Sequence, residues 1–154
     1  MKAIDKIDVS ILGELQRDNR ISNTKLAELF NLSEASCWRR VKRLEEAGVI
    51  EGYHAALNRR KLGLGVTTFV QIKVAIHSQE ATAEIERIIQ ASPNVLACDN
   101  TTGEADFLLE VVAEDLEDYS HFVDNVLRKL PGVLNIHSNI SLRQMKSIHQ
   151  LPIN

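Results

Sequence analysis

The chain has 154 residues, 44% hydrophobic and 25% charged, with a formal net charge of −3. This composition suits one ordinary domain or two small ones with a real core, and excludes wholesale disorder. It contains no run of about 18 apolar residues, which excludes a membrane-spanning helix of ordinary length.

The opening "MKAIDKIDVS" is charged and lacks an apolar signal core, so a cytoplasmic protein is expected. Cys37 and Cys98 are then expected as reduced thiols, each serving as small apolar filler. The charge is unevenly spread. Met1–Lys61 carries 12 Lys+Arg against 9 Asp+Glu, whereas Leu62–Asn154 carries 6 against 12. A basic front and an acidic back indicate two modules, of which only the front suits a polyanion.

In "DKIDVSILGELQRD", Ile4, Ile7, Ile11, Leu12 and Leu15 recur at helical spacing, and Asp5 and Asp8 suit the positive end of the helix dipole. After the break "NRIS", the stretch "NTKLAELF" predicts a second helix burying Leu26, Leu29 and Ala27, capped by Ser22 or Asn23. "NLS" is a tight turn in which Asn31 tolerates a left-handed backbone. Ser33 is a natural N-cap for a third helix, which ends near Gly48. Three short helices with a turn of about three residues between the last two describe a helix-turn-helix. "VIEGYHAAL" is expected as a short strand. The polar, basic "NRRKLGLG" marks a boundary. The expected division is a helix-turn-helix domain over 1–50, a hinge strand and linker over 51–64, and a second domain over 65–154.

In "VTTFVQIKVAI", positions 66, 70, 72, 74 and 76 are Val or Ile while 67, 71 and 73 are polar, the period of a half-buried strand. "SQEATAEIERIIQAS" places Ala81, Ile85, Ile88 and Ile89 on one helical face. "NVLACDNTTGEADFLLEVVAE" reads as strand, turn and strand, with Gly103 in the turn. "DLEDYSHFVDNVLRKLPG" is a helix with Leu116, Tyr119, Val123, Val126, Leu127 and Leu130 at heptad-like spacing, stopped by Pro131-Gly132. "VLNIHSNISLRQM" alternates again, with Leu134, Ile136, Ile140 and Leu142 facing one way. The resulting order βαββαβ is the ferredoxin-like split unit, and the chain is α+β. Both helices of such a unit cover one sheet face. Phe69, Leu108 and Val112 fall on the other, which predicts a homodimer formed by sheet-to-sheet packing.

At 100° per residue, Cys37, Val41 and Leu44 of the third helix face the core. Ala35, Ser36, Arg39, Lys42 and Arg43 cover the outward face, Arg40 lies at its border and Trp38 on the other flank. Small residues permit close approach, and arginine reads guanine while lysine or arginine neutralises phosphate. A solvated charged face is the commoner fate of an isolated basic run, and the Lys42–Glu46 spacing fits it. The run nevertheless lies on the second helix of a helix-turn-helix, in the basic half of an acidic protein, and duplex DNA is the expected partner. The candidate contacts are Ser22, Asn23, Thr24, Ala35, Ser36, Arg39, Arg40, Lys42 and Arg43.

The segments "DKIDVSILGELQRDNRIS", "LAELFNLSEASCWRRVKRLEEAGVIEGY" and "TTGEADFLLEV" together resemble the Lrp/AsnC, or feast/famine, transcriptional regulators, over nearly the whole chain. The resemblance implies an N-terminal DNA-binding helix-turn-helix, a hinge strand, and a C-terminal βαββαβ domain that dimerises, often assembles dimers into octamers, and senses amino acids. Two basic helices in a symmetric dimer are expected to bind a pseudo-palindromic operator. This chain has Asn31 where the family usually has Gly, and Glu34 where it often has Pro. The family's effector cleft lies between subunits. Carried over by position, Thr102, Gly103 and Asp106 line it, facing Asn139, Ile140 and Ser141. Backbone N–H groups at a glycine turn can hold a carboxylate, Asp106 can pair with an ammonium, and Asn139 and Ser141 offer neutral hydrogen-bonding groups. Glu104 and Ala105 differ from residues often seen there. An architectural DNA-binding protein without a ligand would present the same sequence features. No H-E-x-x-H, C-x-x-C or G-x-S-x-G spacing occurs, and His54, His77, His121, His137 and His149 form no metal motif, so neither an enzyme nor a metal site is expected.

Overall fold

The computed structural model describes residues 4–75, 78–146 and 150–153. The chain divides into two compact units. One comprises the residues up to Ala56 together with the C-terminal segment from Lys146, and the other is Leu57–Met145.

The first unit contains helices α1 (Lys6–Arg17), α2 (Asn23–Leu29) and α3 (Glu34–Glu46). Asp5 caps α1 in a reciprocal box with Asp8, Ser22 caps α2 and Ser33 caps α3. Each cap gives an orphan N–H a partner at the point where the helix begins. The turn between α2 and α3 places Asn31 at φ 51, the left-handed conformation that permits a tight reversal. The core gathers Ile11, Leu26, Ala27 and Cys37, with Val41 packed against it. Leu29, expected inside, is 51% exposed, because it lies at the last turn of a seven-residue helix and only Leu26 and Ala27 face α1 and α3. The C-terminal segment joins this unit through Gln16. Its side chain accepts the Leu151 N–H at 2.6 Å and donates to the Leu151 carbonyl at 3.3 Å.

The segment from Glu51 to Asn58, expected to contain a strand, has no strand assigned and is exposed throughout. Alternation alone does not make a strand, since the backbone needs a pairing neighbour and the described residues supply none here. Tyr53 is instead held by Glu45, with its hydroxyl 2.9 Å from the carboxylate.

The second unit starts with a 3-10 turn at Arg59–Leu62, and its strands are β1 (Val66–Val74), β2 (Val95–Asn100), β3 (Phe107–Ala113) and β4 (Val133–Ile140). They form one antiparallel sheet in the order β2-β3-β1-β4. Helices α4 (Gln79–Gln90) and α5 (Leu116–Asn125) lie in the connections. This is the split βαββαβ arrangement expected from the sequence. Val70, Ile72, Val74, Phe107, Leu109 and Val111 build the core with Ile85, Ile89, Tyr119 and Phe122. Ile76, counted in the strand pattern, lies outside the described residues, as do His77 and His149. The helix expected to run on to Leu130 breaks at Val126 and continues as a 3-10 turn that buries Leu127. Leu116, from the heptad-like set, and Leu134, Ile140 and Leu142, expected to share one strand face, are exposed, at 57%, 66%, 48% and 93%. Leu116 opens α5, Leu134 falls at the register shift between β4 and β1, Ile140 ends β4 and Leu142 lies beyond it, whereas Ile136 between them packs on the core.

The αL position at Asn31 generates a prediction. Asn31→Val should destabilise the first unit by about 1–2 kcal/mol, the cost of a left-handed L-residue without local compensation. Asn31→Gly should change stability by less than about 0.5 kcal/mol. Thermal denaturation of the two variants checks the contrast.

Candidate nucleic-acid interface and effector site

The third helix carries four cations between Arg39 and Arg43, and the structure divides them by role. Arg40 donates to Asp5 at 2.7 Å and to Asp8 at 2.8 Å, while Arg43 donates to the other Asp8 oxygen. Asp8 is fully buried. Its carboxylate also accepts the Asp5 N–H at 3.0 Å. Burial alone would raise the pKa of Asp8, but the Asp5 N–H and the two guanidiniums together hold it below the ordinary carboxylate value. Asp5 is drawn down to about 2, chiefly by the Arg40 hydrogen bond. Arg40 is raised in turn by the same two carboxylates. Two of the basic residues therefore fasten α3 to the start of α1. Sequence inspection placed Asp8 near a dipole and overlooked this role.

Arg39 is exposed and makes no hydrogen bond or ion pair to any described residue. Lys42 has only a long contact with Glu46 at 4.0 Å, and both side chains are exposed. Ala35 and Ser36 open the same helix, Ala35 exposed and Ser36 half-buried. Ser22 and Thr24 are exposed at the start of α2, Ser22 accepting the Lys25 N–H as its cap. Asn23 donates to the Glu34 carbonyl at 2.9 Å, joining the start of α2 to the start of α3. Its Oδ1 is buried without a partner among the described residues. Trp38, absent from the sequence-based set of candidate contacts, is 59% exposed beside Ala35 and Arg39.

In the second unit the β2–β3 turn carries Thr102, Gly103 and Asp106. Gly103 has φ 129, a conformation open to glycine and costly to other residues. Thr101 closes the turn, its N–H donating to the Asp106 carbonyl and its hydroxyl to the Ala105 carbonyl. Asp106 is engaged within the protomer. Its carboxylate accepts the Val74 N–H at 2.8 Å and lies 3.5 Å from Lys73 Nζ. Asn139, Ile140 and Ser141 sit elsewhere. Asn139 and Ile140 pair across from Phe69 and Thr68, and the Ser141 N–H donates to the Thr67 carbonyl. Asp106 instead bonds to Ile72 and Val74. The two groups thus flank opposite ends of β1, at least about 10 Å apart at the rise of a strand. One protomer does not bring them together.

The open sheet face exposes Phe69 at 43% and Leu108 at 37%. Val112, also on that side by register, is buried. Arg59 reaches Thr67 at 3.5 Å and Glu110 at 2.8 Å, so the 3-10 turn lies over that end of the face. Among the described residues no group of His, Cys, Asp and Glu has the geometry to hold a metal, and no helix is long and apolar enough to cross a membrane.

Comparison with known proteins bears on both units. Residues 4–51 match the winged helix-turn-helix DNA-binding model and residues 67–151 match the Lrp/AsnC ligand binding domain. The chain belongs to the Lrp/AsnC family of transcriptional regulators. It is 37% identical to the DNA-binding transcriptional activator DecR of Escherichia coli over 97% of this chain and 99% of that protein. It is 40% identical to the leucine-responsive regulatory protein of Rhizobium meliloti, covering 97% and 96%. A transcriptional regulator from Neisseria meningitidis, solved as an L-Met complex, superposes with a TM-score of 0.92 at 34% identity, covering 99% and 98%. This chain is therefore a transcriptional regulator with a DNA-binding helix-turn-helix and a ligand-binding ferredoxin-like domain.

The Asp8 cluster makes the Lrp/AsnC DNA-binding unit acid-sensitive. Both carboxyl groups have folded pKa values below the unfolded ones, so their contribution is complete above the ordinary value near 4. It is lost as pH falls through that value toward about 2. Asp8→Asn should flatten this acid limb of stability. At neutral pH it should cost on the order of 3 kcal/mol, because two guanidiniums lose their buried partner. Urea melts from pH 2 to pH 7 measure both effects.

Proposed function

We propose that this regulator binds duplex DNA as a twofold homodimer and that an amino acid held between subunits modulates the binding. The observation that carries the DNA half is the division of labour on α3. Arg40 and Arg43 are committed to Asp5 and Asp8, while Arg39 and Lys42 extend from the exposed side with no strong partner. A guanidinium left unpaired beside Ala35 suits bidentate reading of guanine in the major groove, and Lys42 suits phosphate. Ser22, Asn23 and Thr24 belong to the same surface at the start of α2. Two such helices in a symmetric dimer call for a pseudo-palindromic operator.

The separation of the candidate effector residues supports the dimer. Asn139–Ser141 and the Gly103 turn lie at opposite ends of β1. A twofold operation on the open face exchanges such ends, bringing one protomer's turn to its partner's last strand. Phe69 and Leu108 supply apolar surface at its centre. The Neisseria relative was solved with L-Met, and the chemistry here suits the same class of ligand. Backbone N–H groups at Gly103 receive a carboxylate, and Asp106 shares its charge with an incoming ammonium. The same symmetry leaves room for dimers to assemble further into octamers.

Arg39→Ala should weaken operator binding by about 1–3 kcal/mol with an unchanged melting temperature. Arg40→Ala should lower the melting temperature first. Gel shifts at several salt concentrations separate the two. Equal loss on operator and random DNA would demote Arg39 to a phosphate contact, and no binding at low ionic strength would end the DNA reading.

Phe69→Lys should sediment as a monomer and lose any thermal response to ligand. In the wild type, at least one proteinogenic amino acid should raise the melting temperature and shift DNA affinity by a coupling of about 1–3 kcal/mol. Should none alter melting, assembly or DNA binding, the sensing role is rejected.

A further inference from the structure

We propose that Trp38 and Ala35 form an apolar notch that receives a thymine methyl group, making Trp38 a specificity-determining residue. This inference rests on the DNA reading given above. The notch is open, about 440 Å³ in volume, and lined by Asn23, Glu34, Ala35, Trp38 and Arg39. Its walls come from the starts of α2 and α3, fixed to each other by the Asn23–Glu34 hydrogen bond. Trp38 keeps 59% of its surface exposed, and its indole N–H has no acceptor among the described residues. Leaving a large aromatic surface in water on a helix that otherwise buries Cys37 and Leu44 marks a contact surface.

Charge and polarity select the occupant. Arg39, an unpaired cation on one wall, attracts nucleic acid. Glu34 on another wall repels a phosphate, so the DNA backbone is disfavoured inside the notch itself. A base edge remains. The major groove offers one apolar group, the C5-methyl of thymine, and small or aromatic side chains contact it there. Arg39 is one residue along from Trp38 and suits a guanine. The notch and the cation together therefore specify a thymine neighbouring a guanine in each half-site.

The test uses the full-length protein and a duplex selected from random sequence by repeated binding. The same duplex is made with deoxyuridine replacing thymidine, which deletes only the methyl groups. Wild-type protein should bind the deoxyuridine duplex about fourfold more weakly for each methyl group that the notch buries. Trp38→Ala should bind the two duplexes alike, at the weaker affinity and with a melting temperature near that of wild type. Trp38→Phe should keep part of the discrimination. Arg39→Ala should weaken binding to both duplexes and keep the ratio between them. Equal wild-type affinity for the two duplexes overturns the notch assignment while leaving DNA binding intact. Discrimination that survives in Trp38→Ala moves the methyl contact elsewhere and overturns it as well. Failure of the wild type to bind either duplex at low salt refutes the underlying DNA reading.

Discussion

The DNA-binding unit depends on one buried carboxylate. Asp8 lies at the start of α1 with no solvent exposure, and two guanidiniums from α3 close on it. Taken singly, a buried charge is costly and its pairing only offsets that cost. Here the geometry is favourable, because both carboxylate oxygens are occupied and the Asp5 N–H adds a third donor. The pairing fixes the rotation of α3 about its axis. That rotation decides which residues point away from the core, and so sets Arg39, Ala35 and Trp38 on the exposed side. An apolar contact in place of Asp8 would hold α3 near α1 but would not anchor Arg40 and Arg43 at fixed points along it.

The second unit depends on a different constraint, the one-sidedness of its sheet. The pleat sends Val70 and Ile72 to the helices and Phe69 to the other face. Both helices are spent on one face, so the opposite one keeps Phe69 and Leu108 in contact with water. The same pleat and register carry the Gly103 turn to one end of β1 and Asn139 to the other. The proposed twofold dimer accounts for both the exposed apolar face and the divided set of polar residues.

Much of this was legible from spacing. The caps Ser22 and Ser33, the left-handed Asn31, the period-two strands and the chain order of strands and helices all follow from local rules. The errors cluster where a local rule needs a neighbour. Leu134 and Ile140 alternate properly with Ile136, but one falls at a register shift and the other at the strand end, so only Ile136 packs on the core. The segment after α3 alternates and finds no pairing partner among the described residues. Asp8, rightly placed in the first turn of α1, was read incompletely for the opposite reason. It stands in register with Ile4, Ile11 and Leu15, so an acid occupied an apolar stripe and required a cation from elsewhere. The i, i+3 pair Arg40 and Arg43 was the available match, and reading the two helices together would have found it. The candidate effector residues were the least legible, because no intrachain contact connects Asp106 with Asn139.

Counting basic residues on a recognition helix overstates its electrostatic grip. Arg40 and Arg43 are half-buried in ion pairs with carboxylates, and charge neutralised within the protein displaces few counterions from DNA. What α3 turns outward is smaller and more selective, with one free guanidinium, one lysine, two small residues and an aromatic ring. Such a surface gains little from a generic polyanion and more from a base pair that matches it. On this helix the acidic partners of Arg40 and Arg43 thus shift the balance from attraction toward discrimination. That shift suits a regulator whose remaining residues carry a net negative charge and contribute little attraction for phosphate.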